Sequence, residues 1–532
     1  VKMLERLQQM PTRTSANLTR YQTDPNGFIG SVLGCNLIDA QEQVSESVRD
    51  YTVTVVQSAN AVGKTYVASG IALWFLSTFP RAKVIATAAP PLENLENLLW
   101  SEVEARMMAA SEVVEDMTAG YLNIEVAPDW WMVGRAIPQS GTPAQREAKF
   151  SGVHAPHLLF IVDEGDAVPD EVYKGIESCM SGGHVRLLVM FNPRDASGPV
   201  YRMIQSGEAN VVILDAFGHP NVVTGRNVIP GAVDRETTVR RICEWSRPAA
   251  TGEDVPDDSP DWFRVPNYLD GAKATAKNGQ ELGPLVGGEW REITNPALAY
   301  MVLARYPGQS ENQLIARAWV QAAMARWVAR RERVGAKPPE GVRPIHGQDV
   351  AEFGTDRNAA CWRYGSWVDH FETWSGVDVL VTGDRAARAA YERNAEVSFV
   401  DATGLGSGVA PQMYRRWEQD LDAGLMKPYD GAAVAVKVAS SATEIVEEGE
   451  FGLLRDQMLW RVREWLRTDP EAALPPNEDL ADELCAPRYA VKKGEIKVTD
   501  KEKLRKSLGR SPDLLDALAL TFAPEEVSWL LH

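Results

Sequence analysis

Val53-Thr54-Val55-Val56-Gln57-Ser58-Ala59-Asn60-Ala61-Val62-Gly63-Lys64-Thr65 is the stretch on which the reading of the fold turns. A β-branched apolar run stops in small residues, closes on Gly-Lys-Thr and leads into a helical segment from Tyr66 to about Phe79. Strand, tight loop and helix in that order are what a phosphate-binding loop needs. Backbone N–H groups and the helix N-terminus face the anion, a lysine reaches the β/γ-phosphates and a hydroxyl holds Mg²⁺. Lys64 and Thr65 have the side chains for the last two roles, and Ser58, Ala59, Asn60, Ala61, Val62 and Gly63 form the loop. Ser58 stands where the pattern G-x-x-x-x-G-K-[ST] has its first glycine.

At 532 residues the chain has room for two or three domains of ~150 residues each. Hydrophobic content of 45% and charged content of 24% are those of an ordinary globular protein. No run approaches the ~18 apolar residues of a membrane span, so no membrane partner is expected. The first residues, with Lys2, Glu5 and Arg6, contain no apolar signal core. Cys35, Cys179, Cys243, Cys361 and Cys485 are scattered and form no C-x-x-C pair, which speaks against a disulfide framework or zinc cluster and suits a reducing cytoplasm. The formal charge of −18 argues against a nucleic-acid partner only in the sum, because phosphates are gripped by local basic faces. Two candidate faces exist: Arg326, Arg330, Arg331, Arg333 and Lys337, then Lys492, Lys493, Lys497, Lys501, Lys503, Arg505, Lys506 and Arg510. Solvated surface is the alternative for both.

Residues 1–27 read as a loosely docked polar arm. Gln41 and Gln43 fall in a helical segment before the first strand; Gln43 is a candidate reader of an adenine edge, with solvent exposure as the alternative. Ala82–Pro90 is a short strand, and Leu92, Leu95, Leu98, Leu99 and Val103 then recur at helical spacing, so the β-α alternation predicts a parallel sheet with crossover helices. His157–Val162 reads as a strand buried on both faces, ending in Asp163 and Glu164, where α/β sheets place their ligands. In a nucleotide motor Asp163 would hold the Mg²⁺ shell and Glu164 would orient and polarise the attacking water. Val185–Phe191 is a further strand with Asn192 at its tip, suited to sensing a γ-phosphate; a strand cut off by Pro193 is the alternative. Arg135 and Arg146 are candidate arginine fingers, and the polar loop Ser140–Lys149 favours Arg146.

Residues 218 to 337 carry no motif chemistry. The helix-like Ile315–Arg331 runs into Pro338-Pro339, the expected domain boundary. The expected organisation is an arm (1–27), a phosphate-loop domain (28–225), a helical subdomain and linker (226–339) and a further α/β domain (340–532). In that last part Asp349 lies in the strand Pro344–Ala351, followed by Asp356 and the strand Ala359–Tyr364. Asp401 ends Val397–Val400 before a glycine-rich turn, and Asp513 and Asp516 lie in the first turns of a helix. Carboxylates from two strands and a helix start can converge on hard cations. Two such metals ~3.5–4 Å apart cleave phosphodiesters. Each acid has a plainer alternative, a glycine turn for Asp401 and a helix-dipole contact for Asp513.

Taken together these motifs resemble those of the large terminase subunits, the DNA-packaging motors of tailed bacteriophages. The resemblance runs from about Gln41 through Ser58–Thr65, Thr87–Pro90, Leu158–Glu164, Phe191-Asn192-Pro193 and, more weakly, Arg305–Gly308. It continues through Gly347–Ala351, Val400–Gly404 and Ser511–Ala517, which are similar to the family's ribonuclease H-like nuclease. It implies an α/β fold, with an N-terminal P-loop ATPase domain on a mostly parallel sheet and a C-terminal ribonuclease H-like nuclease domain. It implies Mg²⁺-ATP at Lys64, Thr65, Asp163 and Glu164, and two Mg²⁺ or Mn²⁺ at Asp349, Asp401 and Asp513. Asp356 and Asp516 are second-tier acids, with the choice between Asp513 and Asp516 left open. The implied partners are double-stranded DNA, the portal protein, the small terminase subunit and further copies in a ring on the portal. The implied place is the host cell cytoplasm, transiently on the procapsid and not in the mature virion. A helicase with an accessory nuclease domain and a catalytically inactive scaffold are the rivals. The first lacks helicase motifs past Asn192, and Lys64, Glu164, Asp349 and Asp401 speak against the second.

Overall fold

The computed structural model describes residues 18–110, 117–138, 142–250, 255, 259–308, 312–351, 357–442, 444–492 and 494–524. Two compact units are present, Val1–Ser310 and Glu311–His532.

The first unit is built on an eight-stranded sheet in the order β3-β4-β5-β2-β6-β7-β1-β8. Its strands are β1 (Val53–Ser58), β2 (Ala82–Ala88), β3 (Thr118–Gly120), β4 (Asn123–Ala127), β5 (Trp130–Gly134), β6 (His157–Asp163), β7 (His184–Phe191) and β8 (Asn210–Leu214). Pairing is parallel from β5 through β8, and β4 and β3 add an antiparallel edge. The unit is α/β and mostly parallel, as the alternation of apolar strands and helices requires. β1, β6 and β7 are buried on both faces because their runs of Val, Leu and Ile meet helices on either side. Helix Lys64–Thr78 is apolar all round and buried from Val67 to Thr78, the pattern of a core helix. β7 lies between β1 and β6, so the strand tipped by Asn192 separates the loop Ser58–Gly63 from the paired acids.

Two expectations about this half change. The described part of the N-terminal segment is packed rather than loose: Trp74 Nε1 donates to Tyr21 O at 2.7 Å, and the Tyr21 and Phe28 rings meet edge-on at 5.9 Å. The middle region is not chiefly helical. Besides helices Arg235–Trp245 and Ala297–Met301 it holds β9 (Ser246–Pro248), β10 (Trp262–Arg264) and β13 (Trp290–Ile293) in one antiparallel sheet, and the pair β11 (Ala274–Thr275) and β12 (Glu281–Leu282). Val239, Ile242, Phe263 and Leu298 join the core of the first unit.

The second unit starts at Glu311, ahead of the Pro338-Pro339 boundary expected from sequence. Helix Arg317–Val334 belongs to it because Val320, Ala323, Met324 and Trp327 form one buried stripe, with Trp327 Nε1 donating to Val368 O at 2.9 Å. The helix ends at Gly335 (φ 80°), and the prolines beyond it do not divide the two units. The basic residues of this helix are partly spent on packing: Arg326 Nε donates to Ala472 O at 2.7 Å, and Arg330 and Arg331 each lie 5.0 Å over a tryptophan ring.

The main sheet of this unit has the order β16-β15-β14-β17-β18, with β14 (Ile345–Asp349), β15 (Asn358–Tyr364), β16 (Trp367–Trp374), β17 (Val397–Asp401) and β18 (Ala432–Val436). β14 is central, antiparallel to β15 and parallel to β17. Helices Val379–Glu392 and Val409–Asp422 pack on one face, and Leu454–Thr468 and Asp513–Leu520 on the other. β19 (Ile445–Val446), β20 (Gly449–Phe451), β21 (Tyr489–Lys492) and β22 (Glu495–Val498) form a small second sheet. Among the described residues, no helix is long and apolar enough to cross a membrane.

Candidate functional site

The chemistry of the first unit gathers at the C-terminal ends of β1, β6 and β7. The loop after β1 is pinned by backbone bonds: Ala59 N donates to Leu214 O at 2.8 Å, Asn60 N to Met301 O at 3.2 Å, and Ala61 O accepts from Val233 N at 2.9 Å. Ala61 and Gly63 have positive φ (57° and 81°), which turns the chain into the helix that begins at Lys64. Among the described residues no side chain caps that helix start, which leaves its first N–H groups to an anion. Thr65 sits half-buried in the first turn.

Ser58 has a structural job at the position of the missing glycine. Its hydroxyl donates to Phe191 O at 3.2 Å and its carbonyl accepts from Asn192 Nδ2 at 2.6 Å, tying the end of β1 to the end of β7. Asn192 Oδ1 in turn accepts from Lys64 Nζ at 3.3 Å. Lys64 is in direct contact with Glu164 and 3.7 Å from Asp163 Oδ1. Lys64, Asp163, Glu164, Asn192 and Ser58 thus form one connected group.

Burial pushes the Asp163 carboxyl up, while the Lys64 charge draws it back. Asp163 Oδ2 is buried and, among the described residues, has no hydrogen-bond partner; an unspent carboxylate oxygen suits the shell of a hard cation. Glu164 holds a left-handed backbone (φ 50°, ψ 45°), a conformation costing about 1–3 kcal/mol away from glycine. That strain turns its side chain off the strand direction. Sequence reasoning missed two neighbours. Tyr173, a buried residue, donates from its hydroxyl to Gly165 O at 2.7 Å and steadies the turn. Asp166 is raised to about 7 by burial and by the charge of Glu164. Both lie on short segments with no recognisable motif.

The adenine candidate Gln43 is exposed to solvent on helix Asp39–Asp50. Gln41, two residues earlier and roughly on the opposite face, is buried and donates from Nε2 to Val62 O at 3.0 Å. The stripe of Gln41, Val44, Ser45 and Val48 was the sequence signal for which glutamine faces in. Arg146 is not on a loop: it lies in helix Pro143–Phe150 and pairs with Glu171 at 3.4 Å. Arg135 Nη1 donates to Lys149 O at 2.8 Å.

In the second unit, Asp349 ends β14, Asp401 ends the neighbouring β17, and Asp513 and Asp516 occupy the start of the helix packed over β14. Gly347 permits that approach, because a Cβ there would stand 2.1 Å from Ala517 O. Asp349 is pushed up to about 8, chiefly by burial; Lys501 opposes the shift and Asp516, Asp401 and Asp513 add to it. The four carboxylates therefore share one field. Lys501 Nζ lies 3.4 Å from Asp349 Oδ2 and 2.8 Å from Asp516 Oδ2, and Arg455 Nη2 lies 3.6 Å from Asp516 Oδ1. Burial raises Asp516, but Lys501 and Arg455 outweigh it and leave its carboxyl below the usual range. Asp513 is raised by burial, with Arg357 Nε at 3.9 Å. Asp401 Oδ1 accepts from Thr403 N at 2.9 Å.

Asp356 lies outside the described residues. Among the described residues no three His, Cys, Asp or Glu already stand close enough to hold a metal ion. The donor chemistry nonetheless fits a hard cation. The donors are carboxylate oxygens, and Asp349 Oδ1 is buried without a hydrogen-bond partner among the described residues. The counter-charges beside them are Lys501, Arg455 and Arg357. In the basic run 492–510, of which Lys493 lies outside the described residues, several charges are paired besides Lys501: Lys497 with Glu495 (3.2 Å), Lys503 with Asp500 (2.8 Å) and Arg510 with Asp479 (3.1 Å).

No protein-family model matches the chain. A curated protein of Enterobacteria phage P7 described as a probable terminase large subunit is 28% identical over 168 residues, 30% of this chain and 33% of that protein. The match thus spans about a third of the relative's length. Among solved structures, the large terminase of bacteriophage HK97 is 11% identical, with 94% of this chain and 99% of that one covered and a TM-score of 0.44. The large terminase of a thermophilic bacteriophage, in complex with ADP, is 9% identical, with 92% and 98% covered and a TM-score of 0.34. The nuclease domain of the large terminase subunit of bacterial virus Sf6 is 21% identical, with 39% and 97% covered and a TM-score of 0.33. The chain is similar in sequence to a terminase large subunit, the family that its motifs resemble.

Proposed function

We propose that this chain is the large subunit of a viral DNA-packaging terminase, hydrolysing ATP with its first unit to drive double-stranded DNA into a procapsid and cutting concatemeric DNA with its second. The observation that supports this reading best is the pairing, in one chain, of a Lys64–Glu164–Asn192 cluster beside a helix N-terminus with Asp349 and Asp401 at the ends of neighbouring strands and Asp513 and Asp516 at the start of the helix packed over them. Mg²⁺-ATP would be held by the loop Ser58–Thr65, with Asp163 in the metal's shell; bound there, it supplies the phosphoanhydride whose hydrolysis powers movement. Lys64 pairs with Glu164 in this structure and has the reach of a phosphate ligand; leaving the pair frees Glu164 to orient water. Asn192 touches Lys64 with one end of its amide and the end of β1 with the other, which suits it to report the state of the site to β7.

In the second unit Mg²⁺ or Mn²⁺ would be held by Asp349, Asp401 and Asp513, with Asp516 beside them; when bound, such metals activate water and stabilise the leaving oxygen of a phosphodiester. Lys501 pairs with both Asp349 and Asp516 and offsets their charge. Double-stranded DNA, the portal protein, the small terminase subunit and a ring of further copies are the partners this reading assigns. The host cytoplasm and, transiently, the procapsid are the place.

Plasmid digestion in Mn²⁺ and ATP hydrolysis, measured on wild type, Lys64→Ala and Asp401→Ala, test the reading. Asp401→Ala is expected to lose cleavage and keep ATP hydrolysis, and Lys64→Ala to show the reverse. Cleavage indifferent to Asp401 overturns the nuclease half, and ATP hydrolysis indifferent to Lys64 overturns the motor half.

A further inference from the structure

We infer that Glu483 is a positioning residue of the carboxylate site: from helix Glu478–Cys485 it caps the helix that carries Asp513 and Asp516 and fixes both acids against Asp349. This inference rests on the nuclease reading of that site. Helix Asp513–Leu520 is eight residues long and has Pro512 at its N-cap, a residue with no side chain able to accept from the first N–H groups. Its start is buried, with Asp513 at 3%, Leu514 at 4% and Leu515 at 0% exposure, so water does not satisfy those donors. Glu483 supplies what Pro512 lacks. Its Oε2 accepts from Leu514 N and from Leu515 N, each at 2.9 Å, although 31 and 32 residues separate them in sequence. Its Oε1 takes Arg510 Nη1, while Arg510 Nη2 donates to Asp479 O and Oδ1, both at 3.1 Å.

A buried carboxylate on two helix N–H groups is a charge-assisted cap, strengthened by the helix dipole. The helix is therefore fixed at two places, by Glu483 at its first turn and by the close approach of Gly347 to Ala517 one turn on. Asp513 and Asp516 lie within and between these anchors. Removing the Glu483 carboxylate leaves two buried N–H groups and Arg510 Nη1 without their acceptor, and frees the helix start to shift. Displacements well below 1 Å matter where catalytic oxygens must be set to ~0.5 Å.

Two measurements on the full chain test this. The first is amide hydrogen exchange of the metal-free protein, on wild type, Glu483→Gln and Glu483→Ala. Exchange at Leu514 and Leu515 is expected to rise about tenfold or more in Glu483→Ala and by less in Glu483→Gln, which keeps an acceptor oxygen. Exchange in helix Lys64–Thr78 is expected to stay unchanged. The second is plasmid cleavage against Mn²⁺ concentration, with ATP hydrolysis as the reporter of the first unit. Half-saturation by Mn²⁺ is expected to rise ~10–100-fold in Glu483→Ala, with KM for DNA unaltered and Glu483→Gln between it and wild type. If Glu483→Ala does not fold, Glu483→Gln decides alone. Wild-type exchange and wild-type Mn²⁺ dependence in Glu483→Gln, or in a folded Glu483→Ala, overturn the inference. Asp513→Asn separates the two ideas: cleavage surviving in that variant overturns the site itself, whereas cleavage lost there but unaltered in both Glu483 variants overturns only the role of Glu483.

Discussion

Glu164 is the residue on which the first site turns, because its left-handed backbone and its contact with Lys64 are both tertiary products. Glu164→Gln keeps the shape and removes the charge. It is expected to cut ATP hydrolysis by ~10²–10⁴-fold with little change in nucleotide affinity, since the amide still fits but no longer polarises water. Equal losses in kcat and affinity would assign Glu164 to binding instead. A second residue-scale outcome concerns His157 and His184, whose Nδ1 atoms lie 3.0 Å apart among Phe75 and Phe79. Burial holds both imidazoles below the usual 6.5, and His184 falls to about 4 with Arg186 adding to the shift. Between those values the unfolded chain binds protons that the folded one refuses. The stabilisation is therefore complete above pH 6.5 and is lost as pH falls towards about 4. Urea unfolding across that range should show stability falling with acidity, and His184→Phe should flatten the slope. An unaltered slope would remove His184 from the account.

At the scale of elements, the helix Asp513–Leu520 and the strand β14 make the second site by approaching without a side chain between them. Gly347→Ala puts a methyl group 2.1 Å from Ala517 O and must lever that helix away. The expected cost is about 1–3 kcal/mol in stability of the second unit. Cleavage should be lost and ATP hydrolysis spared, and wild-type cleavage in Gly347→Ala would show that the helix tolerates displacement. The apolar runs at Val53–Val56, His157–Val162 and Val397–Val400 announced their strands directly, because a buried strand needs an uninterrupted apolar side chain on each face. The order of strands in the sheets was not legible. Nothing local in β7 says that it inserts between β1 and β6, which is what brings Asn192 to Lys64. The helix Arg317–Val334 misled for the same reason: its apolar stripe and the prolines beyond it are visible in sequence, but not the sheet to which the stripe docks.

At the scale of the molecule the chain carries two compact units, each with apolar layers on both faces of its own main sheet. The two chemistries should then be separable by single substitutions. Asp349→Asn in the full chain is expected to abolish cleavage and leave ATP hydrolysis within about twofold of wild type, because each site draws its residues from its own unit. A large fall in ATP hydrolysis would show energetic coupling between the two activities. The amino-acid sequence by itself determined the α/β class, the strand, loop and helix around Ser58–Thr65, the acids at the strand ends and the helix that carries Asp513, because each depends on short-range periodicity and on residue chemistry at fixed spacing. Only the tertiary structure decided that Ser58 ties β1 to β7, that Gln41 rather than Gln43 faces the loop, and that Lys501 neutralises the carboxylates instead of lying on an open face. It also decided that Glu483 caps the acid-bearing helix. Those are contacts between residues 15 to 152 positions apart. A charged or polar side chain takes whichever partner folding brings beside it, and its own neighbours in sequence carry no trace of that choice.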